Sequence, residues 1–220
     1  MPTASRVVLW LVLIAAAGVA PAAAQEPGVR RGERIDIRGL VVNRKFEQAE
    51  ARLQAAQHDY ERDPRQAQTV EDLFAAFDNH DSVLTAPLDE WVTRFPESAM
   101  PRLARGVHSY ALGFKARGTD TWSKTPKASR AAMNAPFLQG VRDLHAALKI
   151  NPRLMSGYAY LIYAAAVYGE RQTIRGIFEE GRKIDPASFV LREAYLFALQ
   201  PKWGGSAVAS EVLIADTRQY

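Results

Sequence analysis

Two prolines, Pro152 and Pro186, stand 34 residues apart, and each follows a turn-forming residue, Asn151 and Asp185. Proline cannot continue a helix through its own nitrogen and pushes the residue before it into extended backbone, so each position breaks the chain. Between the breaks, Tyr158, Leu161, Ile162 and Ala165 recur at steps of three and four, which predicts a helix from about Met155 to Tyr168. Gly169 is placed to close it. A second helix is predicted over Arg171 to Ile184, with Ile174, Ile177, Phe178, Gly181 and Ile184 facing inward. The second-helix pattern also precedes Pro152, as Phe137, Val141, Leu144, Ala147 and Ile150, and a new first helix follows Pro186 over Val190 to Leu199.

Thirty-four residues is the length of the tetratricopeptide repeat, a pair of antiparallel helices closed by a proline. The expected fold is therefore all-α: a tetratricopeptide-like helical repeat, or α-solenoid, over 38–220. Upstream, helices are predicted over Phe46 to Tyr60, Val70 to Asn79, Val83 to Arg94 and Ala99 to Arg117, with Gly118 placed to cap the last. Ile35, Ile37, Leu40, Val41 and Val42 form a patch that is either an extended arm or one turn of helix. The period fails between Pro96 and Pro152, which lie 56 residues apart. The segment 118–136 thus reads as an insertion, a polar loop entering a helical turn near Ala128 to Asn134 and interrupted at Pro136. Near the C-terminus, Gly204 and Gly205 allow a sharp reversal, and Ser206 can cap a last helix over Ala207 to Thr217.

Composition narrows the address and the chemistry. Arg6, the apolar run Val7 to Ala20 and the small residues Ala22, Ala23 and Ala24 have the layout of a secretory signal peptide over 1–24, followed by a linker or arm over 25–37. The run is short for a membrane span, so the expected product is exported, periplasmic or secreted, without stable membrane insertion after cleavage. The chain has no cysteine, hence no disulfide, thiolate metal site or cysteine nucleophile. Removing Arg6 leaves 27 basic against 24 acidic residues, interspersed, an excess too slight to argue for nucleic acid.

Short motifs carry a resemblance. Phe46…Leu53, Leu88-Asp89-Glu90-Trp91…Pro96-Glu97-Ser98, Leu103-Ala104-Arg105-Gly106, Ala116-Arg117-Gly118 and Pro201-Lys202-Trp203-Gly204-Gly205-Ser206 occur in order over Arg38 to Ser206. In these the chain resembles the bacterial domain-of-unknown-function family numbered four thousand and thirty-four. That resemblance implies a tetratricopeptide-like fold and no particular activity. The family continues past the Trp-Gly-Gly-Ser turn with a methionine-bearing helix, whereas Val208 to Val212 contains no methionine and the sequence stops at Tyr220. The domain end is expected to be either shortened or completed by another chain.

Candidate chemistry is sparse. Four histidines, His58, His80, His108 and His145, have no partners at metal-ligand spacing, and neither a metal nor a cofactor is expected. Arg102, Arg105 and His108 share a helical face and form a basic strip for a carboxylate or phosphate, unless its arginines pair with acids on a neighbouring helix. Lys202 to Ser206 is a phosphate cradle or, as a structural alternative, a turn with Trp203 packed over it. Tyr158, Tyr160, Tyr163 and Tyr168 crowd one helix, as core or as a peptide-gripping surface, where Tyr160 and Tyr163 are the residues to watch.

The expected function is binding or scaffolding of another protein or peptide in a concave groove, with Arg102, Arg105, His108, Tyr160, Tyr163 and Trp203 as candidate contacts. The rival is a hydrolase-like enzyme using groove carboxylates with His108 or His80. A third reading is a structural module that self-associates through the last helix, whose expected apolar stripe is Val208, Val212, Leu213 and Ala215.

Overall fold

A computed structural model describes residues 36–220. The signal peptide expected over 1–24, and the part of the linker before residue 36, lie outside the described residues. Among the described residues all regular structure is helical. A helix over 36–42 (α1) leads into α2 (Phe46–Arg62), α3 (Ala67–Phe74), α4 (Thr85–Arg94) and α5 (Ala99–Arg117). Then come α6 (Lys127–Ile150), α7 (Met155–Tyr168), α8 (Arg171–Ile184), α9 (Phe189–Ala198) and α10 (Ala207–Thr217). The patch left between arm and helical turn is therefore a helix, with Ile37 and Val41 fully buried. The helix expected over Val70 to Asn79 starts three residues earlier, and its end tightens into a 3₁₀ turn over Ala75–Phe77.

The proline breaks recur as one geometry. Phe95, Asn151 and Asp185 each precede a proline and are pulled out of the helical region, to ψ 62°, 100° and 92°. Each carbonyl accepts from the amide three residues on, at 3.1 Å from Ser98, 3.4 Å from Leu154 and 3.3 Å from Ser188. Two of the turns are clamped alike from the following helix. Arg102 donates to the Pro96 carbonyl at 3.1 Å and Arg192 to that of Pro186 at 2.8 Å, both arginines six residues past their proline.

α5 and α6 make the most extensive helix contact. Gly106 and Gly140 permit it: a Cβ on Gly140 would stand 3.0 Å from the Gly106 carbonyl oxygen, and one on Gly106 2.8 Å from Leu144 Cγ. This contact overturns the expected break at Pro136. α6 runs unbroken through that proline, because Met133, Phe137, Gly140 and Leu144 form one buried face across it. Burial of that face outweighs one missing hydrogen bond. The carbonyl left without a helical partner belongs to Ala132, which is exposed and open to hydration. The insertion is therefore mostly the first turns of a 24-residue helix.

α2 packs against the turns that follow α6 and α8. Tyr60 donates to the Asp185 carboxylate, Gln57 to the Arg153 carbonyl at 3.2 Å, and Asn151 to Glu61 at 3.1 Å. α3 in turn touches both α7 and α9. One contiguous core results, from Ile37, Phe46 and Trp91 at one end to Phe178, Leu191 and Trp203 at the other. Ile150 and Ile184, expected inward, are 44% and 38% exposed. Each is the last residue of its helix, and no neighbour covers that turn.

The C-terminal reversal is tight. Gly204 takes φ +86°, and a Cβ on Gly205 would fall 1.9 Å from the Leu199 carbonyl oxygen, so the turn requires glycine there. Ser206 caps α10 by accepting from the Ala209 amide. The stripe expected on α10 does not form. Leu213 is buried, whereas Val208 is 69% and Val212 65% exposed, and Ala215 and Ile214 also face outward. α10 is apolar almost all round, and such a helix gives periodicity no face to choose.

Candidate functional site

Of the two readings of the α5 basic strip, pairing of its arginine with an acid on a neighbouring helix is the one found at Arg105. Arg102 clamps the turn at Pro96, as described. Arg105 grips Asp143 in a fork, with both bonds at 2.7 Å, and reaches Asp89 at 3.0 Å. These bonds, those to Asp143 foremost, hold its pKa above the ordinary arginine value. Asp143 is 3% exposed and also accepts from Gln139, so the guanidinium is occupied by the protein itself. His108 is 1% exposed. Its Nδ1 lies 2.8 Å from the Asn79 carbonyl oxygen and its Nε2 3.4 Å from Thr85 Oγ1. A carbonyl only accepts, so Nδ1 carries the proton and Nε2 is left to accept from the threonine. Burial lowers the pKa of this imidazole, which stays neutral. It joins α5 to the segment before α4 and to the start of α4.

His80 lies in an exposed turn, next to an Asp81 that caps the following 3₁₀ turn and pairs with Arg38. Among the described residues no group of three or more histidine or acidic side chains is placed to hold a metal ion, and no helix is long and apolar enough to cross a membrane. Trp203 is buried against Phe197 at 5.3 Å, with the Arg117 guanidinium 5.5 Å from its ring centre. It is the packed lid of the turn.

The tyrosines of α7 divide. Tyr158 is buried against Gly181, and Tyr168 bonds Asn134 at the other end of the helix. Tyr160 and Tyr163, one turn apart, meet on a third side. Together with Tyr110 of α5 and Phe197 of α9 they make an aromatic cluster. The ring centres are 5.4 Å apart for Tyr110–Tyr160, 5.6 Å for Tyr160–Tyr163 and 5.1 Å for Tyr163–Phe197, all steeply inclined. The cluster walls an open cavity of about 350 Å³ whose other sides are Glu71 of α3, Ala75, Asp78 and Val190. α3 bounds this cavity by reaching α7 and α9.

Asp78 sits at the end of the 3₁₀ turn that follows α3. Its carboxylate accepts from the Tyr160 hydroxyl at 2.9 Å, and among the described residues it has no ion-pair partner. Asp78 keeps surface open toward the cavity it lines, yet lost hydration raises its pKa, with the Tyr160 bond opposing. Desolvation also pushes Tyr110, Tyr160 and Tyr163 well above the usual phenol range, so all three remain hydroxyl donors at any physiological pH. The Tyr110 and Tyr163 hydroxyls make no hydrogen bond to another described residue and are not sealed from solvent.

A second cavity, also about 350 Å³, lies between α6, α7 and α8 and is lined by Leu138, Val141, Leu161, Tyr168 and Ile177. Its lining is mainly apolar, and Asn134, His145, Glu170 and Thr173 also stand at its wall.

Of the six candidate contacts, Tyr160 and Tyr163 stand at the cavity, while Arg102, Arg105, His108 and Trp203 do not. Asp78 and Tyr110 were missed. Asp78 lies near the end of the helix expected over Val70 to Asn79 and Tyr110 within the one expected over Ala99 to Arg117, and neither position carries a site motif. Their convergence depends on α3 folding back over α7, for which no local signal exists. No family model, curated protein or solved structure matches the chain.

Proposed function

We propose that this is an exported, tetratricopeptide-like helical-repeat protein that binds a segment of another protein in the cavity between α3, α5, α7 and α9. The carrying observation is that cavity, where aromatic rings and hydroxyls free to bond converge from three first-type helices. The repeat reading is supported by the common turn geometry at Pro96, Pro152 and Pro186 and by the matched clamps of Arg102 and Arg192. The export reading rests on Arg6, Val7 to Ala20 and Ala22 to Ala24, and predicts a mature N-terminus at Gln25 by mass spectrometry. An intact Met1 or Pro2 terminus would overturn it.

The binding reading is tested by selecting peptides from a displayed random library against the mature protein. Selected peptides are expected to lose at least about tenfold in affinity when Tyr163→Arg fills the cavity. Peptides indifferent to that change would place binding elsewhere.

A second reading is favoured by α10. Val208 and Val212 expose apolar side chains on a helix that is apolar nearly all round, and a second copy of the chain is the proposed cover. Sedimentation is expected to show a dimer that Val208→Asp with Val212→Asp converts to a folded monomer. Leu213 is unsuitable for this test because it is buried in the protomer itself. A wild-type monomer at tens of micromolar, an order-of-magnitude choice on the affinity scale, would remove this reading.

A further inference from the structure

We propose that the cavity walled by Tyr110, Tyr160, Tyr163 and Phe197 is a receptor for a single organic cation, the ammonium or guanidinium of a lysine or arginine side chain, with Asp78 as its counter-ion. The inference rests on the peptide-binding reading above and specifies what the peptide must carry.

Charge complementarity comes first. Among the described residues, the charged side chains lining the cavity are Glu71 and Asp78, both acidic. The negative charges felt at Tyr163 come from Glu71, from Glu193 on α9 and from Asp78. Arg117, whose charge reaches Tyr110, is 3% exposed, lies against the Phe114 and Trp203 rings and donates to the Gly118 carbonyl. It does not pair with Asp78. Asp78 is exposed at the cavity, its carboxylate is bonded there by the neutral Tyr160 hydroxyl, and no described cation pairs with it, so an incoming cation meets an uncompensated charge.

The aromatic walls supply the second half of the recognition. A cation is attracted to the face of an aromatic ring, and the more so where water is excluded. Steeply inclined rings turn faces in several directions, which suits a rounded ammonium or a flat guanidinium better than a flat aromatic ligand. The unengaged Tyr110 and Tyr163 hydroxyl oxygens can accept from the cation's N–H groups. A volume of about 350 Å³ admits one long side chain, not a folded segment.

Two roles of Asp78 must be separated, charge and hydrogen bonding. Asp78→Asn removes the charge and keeps an oxygen to accept from Tyr160. Because the native pKa is raised, folding favours the protonated form. Stability therefore falls as pH rises from the ordinary carboxylate range through the raised value, and the full cost is present at neutral pH. Asp78→Asn is accordingly expected to melt no lower than the wild type at neutral pH, so any binding it loses is not lost to unfolding.

The test uses the mature protein, wild type and Asp78→Asn, with four octapeptide pools that are random except for a central lysine, arginine, norleucine or glutamate. Butylammonium and argininamide serve as free cations, and tyrosine signals in NMR spectra report binding. Tighter binding of the lysine or arginine pool than of the norleucine pool, by at least about tenfold and lost in Asp78→Asn, is the expected result. Equal binding of norleucine and lysine pools would overturn the cation inference and leave the peptide reading standing. Asp78-dependent binding of the free cations alone would support the cation site and remove the peptide reading. If neither peptides nor free cations perturb Tyr110, Tyr160 or Tyr163, both fall.

Discussion

Leu144→Ala, Leu161→Ala and Phe178→Ala are each expected to lower the unfolding free energy by about 2–5 kcal/mol, measured by urea denaturation with the slope unchanged. The three residues come from α6, α7 and α8, are 0%, 3% and 4% exposed, and belong to one core. Each truncation removes apolar area and leaves a hole that rigid neighbours cannot close. The spread among them follows from what surrounds each side chain. Leu144 presses on the Cα of Gly106, where two helices are already in backbone contact and have no slack to move inward. Phe178 stacks on Tyr195 with ring centres 4.1 Å apart, so its loss also removes a ring contact and sits toward the upper end. Ile184→Ala is the internal control. Periodicity puts it on the same inner face as Phe178, but it is 38% exposed, and its truncation is expected to cost less than about 1 kcal/mol. Losses below about 0.5 kcal/mol at all three core positions would mean that these helices do not share a core.

The features legible in the sequence are those decided within a few residues. Gly169 ends α7 in the left-handed conformation, and Ser206 caps α10, because a cap depends only on its own turn. The proline turns were legible for the same reason. Errors cluster where a distant element decides. Pro136 is a helix breaker by local rules, and it is overruled by α5 lying along the buried face on both sides of it. Ile150 and Ile184 satisfy the helical period, but period says nothing about how far a neighbour extends. Which acid Arg105 meets was not legible, because Asp143 lies 38 residues beyond it, on another helix. The cavity was not legible for the same reason. Asp78 and Tyr110 come from two expected helices whose meeting no local pattern marks.

Most of the charges on these helices serve the structure. Arg105, Arg192 and Arg102 each satisfy a carboxylate or a proline carbonyl of the stack. Asp78 lines a cavity, and among the described residues no cation pairs with it. An arginine bonded by the fold is a poor guide to ligand, whereas a carboxylate facing a cavity without one is a better guide.

That contrast has a measurable form at Arg105. Asp143→Ala is expected to destabilise the protein by about 3 kcal/mol, the lower end of the range for breaking a buried ion pair from one side. The lower end applies because the Arg105 side chain is 18% exposed and keeps its bond to Asp89, itself 60% exposed. The remaining guanidinium is then only partly uncompensated, whereas the loss of two 2.7 Å bonds to a carboxylate that is 3% exposed is complete. Arg105→Lys does not substitute for the native residue, since an ammonium cannot make the fork that holds both carboxylate oxygens and Asp89 together. Replacing the pair by Arg105→Met with Asp143→Leu is expected to recover most of the loss, because no buried charge is left unpaired. The double variant also separates structure from recognition. A ligand-gripping Arg105 would make it folded but unable to bind, whereas a structural Arg105 leaves Asp78-dependent cation binding unchanged. Denaturation of the four proteins, followed by titration of the folded ones with argininamide, decides between them. A stable Asp143→Ala variant, losing less than about 1 kcal/mol, would mean the pair is not the clamp between α5 and α6 that its geometry describes.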